Sequence, residues 1–223
     1  MNRETTLKLL NRFVDYNRNN MNQPFAQDLK IGRYLCATNA YLVCLIPETE
    51  ETKIEDVEGF KPPNINGILP DFKDAFDLDF KYLKQLYDAV PIVERFKMEE
   101  CEACDGDGKF EHYGDWYECK NCDEMGEVQT NYKEKVKTPE TAFRFKELNV
   151  SIEKLGSLFE IEKAIGKPEF EFKVMSLKTS IIWFKMDNVI IGMAGLHDIE
   201  DDKKKWTILE VELKNLLQIW KIC

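Results

Sequence analysis

The sequence predicts an α+β fold with a cysteine-rich insertion. Three observations lead there: an α-β-β-β order near the N-terminus, the same order in the last third behind one extra leading strand, and two C-x-x-C pairs between them. The body therefore reads as two βαβββ-like units, residues 5–46 and 143–194. At 223 residues the chain is long enough to bury a real core, as one domain or two small ones.

Residues 5–18 read as an amphipathic helix, with Leu7, Leu10, Phe13 and Val14 apolar and Lys8, Asn11, Arg12, Asp15 and Arg18 falling largely on the other side. An Asn-rich stretch and Pro24 end it. Strand-like runs follow at 25–31, 34–38 and 41–46, separated by Gly32-Arg33 and Asn39-Ala40, and such short breaks predict consecutive antiparallel hairpins. Residues 47–70 are acidic, then Pro- and Gly-bearing, and read as a long connection. Residues 76–90 read as a second helix whose apolar side is Phe76, Phe80, Leu83, Leu86, Tyr87 and Val90.

Residues 92–98 and 128–136 are strand-like and flank the cysteines, so they are expected to carry the loop between them. The expected division is a body of 1–98 with 128–223 and an inserted module of 99–127. The second unit opens with a strand at 143–150. A helix at 151–166 follows, apolar at Ile152, Leu155, Leu158, Phe159, Ile161 and Ile165, with Gly166 in the stop position. Strands are expected at 170–176, 180–185 and 189–194, and 206–223 mixes strand and helix signals.

The most definite chemistry lies in Cys101, Cys104, Cys119 and Cys122. Two C-x-x-C knuckles supply four thiolates at the spacing a tetrahedral Zn²⁺ site needs, because each knuckle turns two sulfurs toward one ion. The first pair reads CEACDGDG at 101–108; the second reads CKNCDEMG at 119–126, with Glu124 where the first has Gly106. A pair of disulfides or a redox dithiol are the competing readings. The N-terminal residues do not resemble a signal peptide, and a redox C-x-x-C usually opens a helix in a βαβ setting, whereas these lie in acidic, glycine-rich loops. One structural Zn²⁺ is therefore expected. Four cysteine ligands fill the coordination shell, which argues against a catalytic ion. Cys36 and Cys44 sit in apolar strands as packing residues, and Cys223 is terminal.

Charge is unevenly spread. The chain carries −10 overall, yet residues 99–127 hold eleven acidic residues and only two basic ones, Lys109 and Lys120, leaving the rest nearly neutral. Phosphate contacts need Lys and Arg, so this stretch is a poor nucleic-acid finger and better suited to docking a basic partner. No apolar run is long enough to span a bilayer, and a cytoplasmic, non-membrane protein is expected. No nucleophile elbow, phosphate loop or HExxH helix occurs. His112 lies inside the cysteine loop, as an alternative ligand at most, and His197 and Lys203–Lys205 read as surface turns. The chain is expected not to be an enzyme.

The stretch YLCATNAYLVCLI at 34–46 resembles the hairpin of DNA sliding clamps, and IIWFKMDNVIIGM at 181–193 resembles the strand pair that ends each clamp unit. The repeated α-β-β-β order is similar to that family as well. This resemblance implies a body whose helices face DNA, with Arg3, Lys8, Arg12 and Arg18 as the DNA-facing candidates. It also implies a DNA partner or a protein of a replication or repair apparatus. A ring closed from domains of this length would need several copies of the chain, so an oligomer is among the expectations. Separately, 101–108 and 119–126 resemble the CxxCxGxG units of DnaJ-type chaperones, which implies zinc ligation by the four cysteines without implying chaperone function.

Overall fold

The structure, a computed structural model, describes residues 2–15, 20–55, 57–70, 72, 76–166, 172–175, 180–186, 188–196, 206–211 and 213–214. In chain order its elements are α1 (Arg3–Leu10), β1 (Phe25–Leu29), β2 (Gly32–Thr38), β3 (Leu42–Pro47), β4 (Phe76–Leu78), α2 (Phe80–Ala89), β5 (Ile92–Glu100), β6 (Lys109–His112), β7 (Asp115–Glu118) and β8 (Glu127–Lys137). Then come β9 (Thr141–Phe145), β10 (Leu148–Ser151), α3 (Ile152–Ile165), β11 (Phe172–Met175), β12 (Ile181–Met186), β13 (Val189–Ala194), β14 (Thr207–Glu210) and β15 (Leu213–Lys214). The chain forms two compact units, one of Met1–Ala89 with Pro139–Cys223 and one of Val90–Thr138.

The first unit is α+β. Its main sheet runs β1-β2-β3-β13-β12-β11-β4-β15, with every neighbouring pair antiparallel. The two meanders expected from the repeated pattern meet edge to edge through β3 and β13, where Cys44 lies opposite Ile191. Asn39 makes the β2–β3 turn, its Oδ1 accepting from the backbone N–H of Leu42 at 2.8 Å and of Tyr41 at 3.1 Å, while Ala40 takes φ 71°. The Asx side chain satisfies the turn amides while Ala40 carries the left-handed backbone.

Period-two alternation buries both faces of this sheet. Cys36, Leu45, Trp183 and Ile190 share one face, covered by Phe60, Ile65, Ile68 and Leu69 from the long connection and by Phe72 just beyond it. That connection is therefore a packed layer, pinned by Asn66, which accepts from Lys30 N–H and donates to the Asp28 carbonyl at 2.9 Å each. The opposite face carries Leu35, Cys44, Phe184 and Ile191, each fully buried, with Phe145 edge-on to Phe184 at 5.5 Å. A smaller sheet runs β10-β9-β14, in which β14 lies parallel to β9.

Helix α3 follows its local signals. Ser151 Oγ accepts from Lys154 N–H, and Gly166 ends the helix in the left-handed conformation at φ 69°. Helix α2 packs on α3 through Tyr87 and Phe159, ring centroids 4.5 Å apart, and through Phe80 and Phe159 at 5.3 Å.

Several boundaries differ from the sequence expectation. Helix α1 stops at Leu10 and tightens into a single 3₁₀ turn, Asn11–Phe13, before Val14 becomes extended. Asn2 caps its start by accepting from Thr5 N–H at 2.9 Å. Phe76 is not on α2: Phe76–Leu78 is a strand paired with β11, and Asp79 starts the helix by accepting from Tyr82 N–H. The single strand expected at 143–150 is a hairpin of β9 and β10, turned at Lys146 with φ 56°. Lys154 is half-buried, donating to the Ala194 carbonyl at 2.9 Å, and burial lowers its pKa.

Candidate metal centre

The second unit begins with a ribbon. β5 and β8 pair antiparallel from Ile92 opposite Lys137 to Glu100 opposite Glu127, with an irregularity between Phe96 and Met98. The sequence boundaries at 98 and 128 fall inside these two strands, because the ladder runs right up to the first cysteine. Between the knuckles β6 and β7 form a short hairpin closed by Tyr113 and Gly114, at φ 55° and 87°. Two positive φ values in a two-residue loop match the tight turn that suits strand twist.

The two knuckles are repeats offset by eighteen residues and related by reciprocal bonds. Cys101 N–H donates to the Gly126 carbonyl at 2.8 Å, and Cys119 N–H donates to the Gly108 carbonyl at 2.8 Å. Inside each knuckle Gly106 N–H donates to the Cys101 carbonyl at 3.2 Å and Glu124 N–H to the Cys119 carbonyl at 3.1 Å. The chain thus turns back twice in the same way and points both sulfur pairs inward.

All four Sγ atoms lie within 4.8 Å of one another, and the four cysteines are at most 5 % exposed. Cys101 and Cys119 sulfurs are 3.8 Å apart and those of Cys104 and Cys122 3.7 Å. A tetrahedron with Zn–S bonds of about 2.3 Å has edges of about 3.8 Å, so these spacings fit a tetrahedral ion. A disulfide needs about 2.05 Å, so the sulfurs stand apart as thiols. The donor set can hold a metal ion.

Three N–H groups are aimed at the sulfurs: Gly108 N–H at Cys104 (3.2 Å), Gly126 N–H at Cys122 (3.3 Å) and the Asn121 side-chain amide at Cys101 (3.4 Å). Such donors favour thiolate over thiol. The Asn121 amide holds the Cys101 thiol below its ordinary range, whereas desolvation pushes Cys104 and Cys122 up. A cation at the centre would reverse that desolvation cost, since ligating thiols give up their protons. His112 stays outside the cluster, exposed on the β6–β7 hairpin with its ring 4.3 Å from Tyr113.

The C-x-x-C spacing does not identify Asn121, Gly108 and Gly126 as N–H donors to the sulfurs. The glycines stand out in the sequence, but the contacts of the three N–H groups with sulfur come only from the fold.

In the first unit, Arg3, Lys8 and Arg12 are exposed on or just beyond α1, and Arg18 falls outside the described residues. Arg12 Nη1 pairs with Glu160 Oε2 of α3 at 2.7 Å. A surface cavity of about 350 Å³ lies between the helices, lined by Lys8, Leu9, Arg12, Glu160 and Lys163 among others. Lys163 joins Lys8 and Arg12 there. His197 and Lys203–Lys205 also fall outside the described residues.

No family model matches the chain, and no curated protein matches it. Among solved structures it is similar to DNA polymerase III subunit beta from Borrelia burgdorferi, with a TM-score of 0.44 and 9% sequence identity. The likeness covers 89% of this chain and 63% of that one, so the chain spans less than two thirds of its length. Among the described residues no helix is long and apolar enough to cross a membrane.

Proposed function

We propose that the second unit is built around one structural Zn²⁺ held by Cys101, Cys104, Cys119 and Cys122, and that the protein acts by binding rather than by catalysis. The observation that carries this is four buried sulfurs within 4.8 Å of one another, with backbone amides aimed at two of them. Zinc fits better than a harder cation because all four donors are soft thiolates. The ion would join two knuckles that otherwise share backbone bonds and the Asn121 amide on Cys101 Sγ. With four protein ligands it keeps no position for water or substrate. The similarity to DnaJ-type CxxCxGxG units supports the same assignment, and a reducing compartment such as the cytoplasm suits free thiols.

For the body, the reading that follows from the clamp-like hairpin sequences is binding to DNA or to a replication or repair protein, with Arg3, Lys8 and Arg12 as contacts. Support comes from the exposure of these cations and from Lys163 beside them. Glu160 offsets part of the charge. A DNA-binding body loses affinity steeply with salt, and Lys8→Ala with Arg12→Ala lowers that slope. Affinity for a basic protein that instead depends on the acidic 99–127 segment would favour the docking reading. Metal analysis of the purified chain, before and after chelation, tests the zinc assignment.

A further inference from the structure

The β5–β8 ribbon has a polarity that its role as a metal carrier does not require. Register places Lys133 opposite Phe96, Lys135 opposite Glu94 and Lys137 opposite Ile92, so the three lysines share one face at alternate positions, about 6.8 Å apart. Residues 92–97 with 133–137 carry five basic side chains against two acidic ones. Farther along the same ribbon, 99–127 carries eleven acidic against two basic. One end is positive and the other strongly negative.

Apolar side chains lie exposed along the same length. Ile92 is 65% exposed, Trp116 67%, Met125 66% and Tyr132 75%. Among the described residues β5 and β8 pair only with each other, and a two-stranded ribbon is marginal on its own.

We propose that the Val90–Thr138 unit is a self-association surface, on which a second copy of this chain lies antiparallel, basic end against acidic end. A two-fold arrangement uses the same patch on both copies and makes the charge contact twice. Antiparallel stacking brings the Lys133, Lys135 and Lys137 row of one ribbon to the carboxylates around the partner's β6–β7 hairpin. It also covers Ile92, which lies opposite Lys137 on the lysine face. A nucleic acid fits less well, because phosphates drawn to the lysine row would run on into eleven acidic residues.

Sedimentation of the full chain tests this, using the wild type, a Lys133→Glu/Lys135→Glu/Lys137→Glu variant and a Glu111→Lys/Asp115→Lys/Glu118→Lys variant. The wild type is expected to sediment as a dimer at about 0.1 M salt and to dissociate at about 1 M, where screening is nearly complete. Each variant alone is expected to be monomeric. Mixed in equal amounts, the two are expected to recover the dimer, because each then meets opposite charge; recovery also shows that both are folded. A wild type that stays monomeric at low salt overturns the proposal. So does a dimer that survives both reversals, or a mixture that remains monomeric. A monomer that binds single-stranded oligonucleotide through the lysine row overturns it in favour of nucleic acid. Since the inference rests on register and charge, chains that keep their zinc but fail to dimerise defeat it alone.

Discussion

The carbonyl oxygen of Gly106 occupies the place where a Cβ on Gly126 would have to sit, and the carbonyl of Glu124 stands in the same relation to Gly108. Each knuckle is packed against the other through a glycine at φ 70–75°. Gly108→Ala and Gly126→Ala are therefore expected to destabilise the second unit by at least about 2 kcal/mol, from left-handed strain and backbone collision together. Gly106→Ala should cost less, because its new carbon would meet only the flexible Glu100 side chain. Thermal unfolding and metal retention of the three variants check this order.

Glu124 holds in the second knuckle the left-handed backbone that Gly106 holds in the first, at φ 67° against 80°. A residue with a Cβ stores roughly 1–2 kcal/mol there. Glu124→Gly is expected to raise stability by about 1 kcal/mol, less the entropy that glycine adds to the unfolded chain. Chelator-challenged melting, compared with wild type, reads the effect.

Cys36 and Cys44 are fully buried in the body sheet. Burial pushes the Cys36 thiol up to about 12, and it pushes Cys44 up further, aided by Cys36 beside it. The unfolded thiols titrate near 9. Above that pH the unfolded chain loses protons that the folded chain keeps, so stability is complete below 9 and falls as pH rises toward 12. A Cys36→Ala/Cys44→Ala variant should be less stable at neutral pH and show a shallower alkaline decline in denaturant titrations. Neither thiol should react with iodoacetamide in the native state.

Arg12 and Glu160 form an ion pair with both side chains more than half exposed. Such pairs contribute about 0–1 kcal/mol, so Arg12→Ala should leave the melting temperature nearly unchanged. If α1 meets DNA, Lys8→Ala/Arg12→Ala should weaken oligonucleotide binding and reduce the slope of log affinity on log salt by about 2. Fluorescence anisotropy over a salt series measures both quantities.

What was legible in the sequence was local. C-x-x-C spacing fixes two thiols within one turn, Ser151 and Gly166 mark the ends of α3, and short apolar runs in 34–46 and 181–194 mark strands buried on both faces. Features set by distant partners were not legible. Phe76–Leu78 looked helical because its apolar residues continue the spacing of α2, and only pairing with β11 makes it a strand. β14 likewise depends on parallel pairing with β9. The β6–β7 hairpin did have a signal, a Tyr-Gly turn between alternating segments, hidden by the charge and cysteines around it. The hydrogen bond from the Asn121 amide to the Cys101 sulfur was invisible because the two lie twenty residues apart.

If one metal ion joins the two knuckles, the purified chain carries it, and its metal content followed by melting before and after chelation shows whether it does. One zinc per chain, with a lower melting temperature once it is removed, is the predicted result. Metal-free protein whose four thiols oxidise in pairs, with no change in melting on adding zinc, would contradict it.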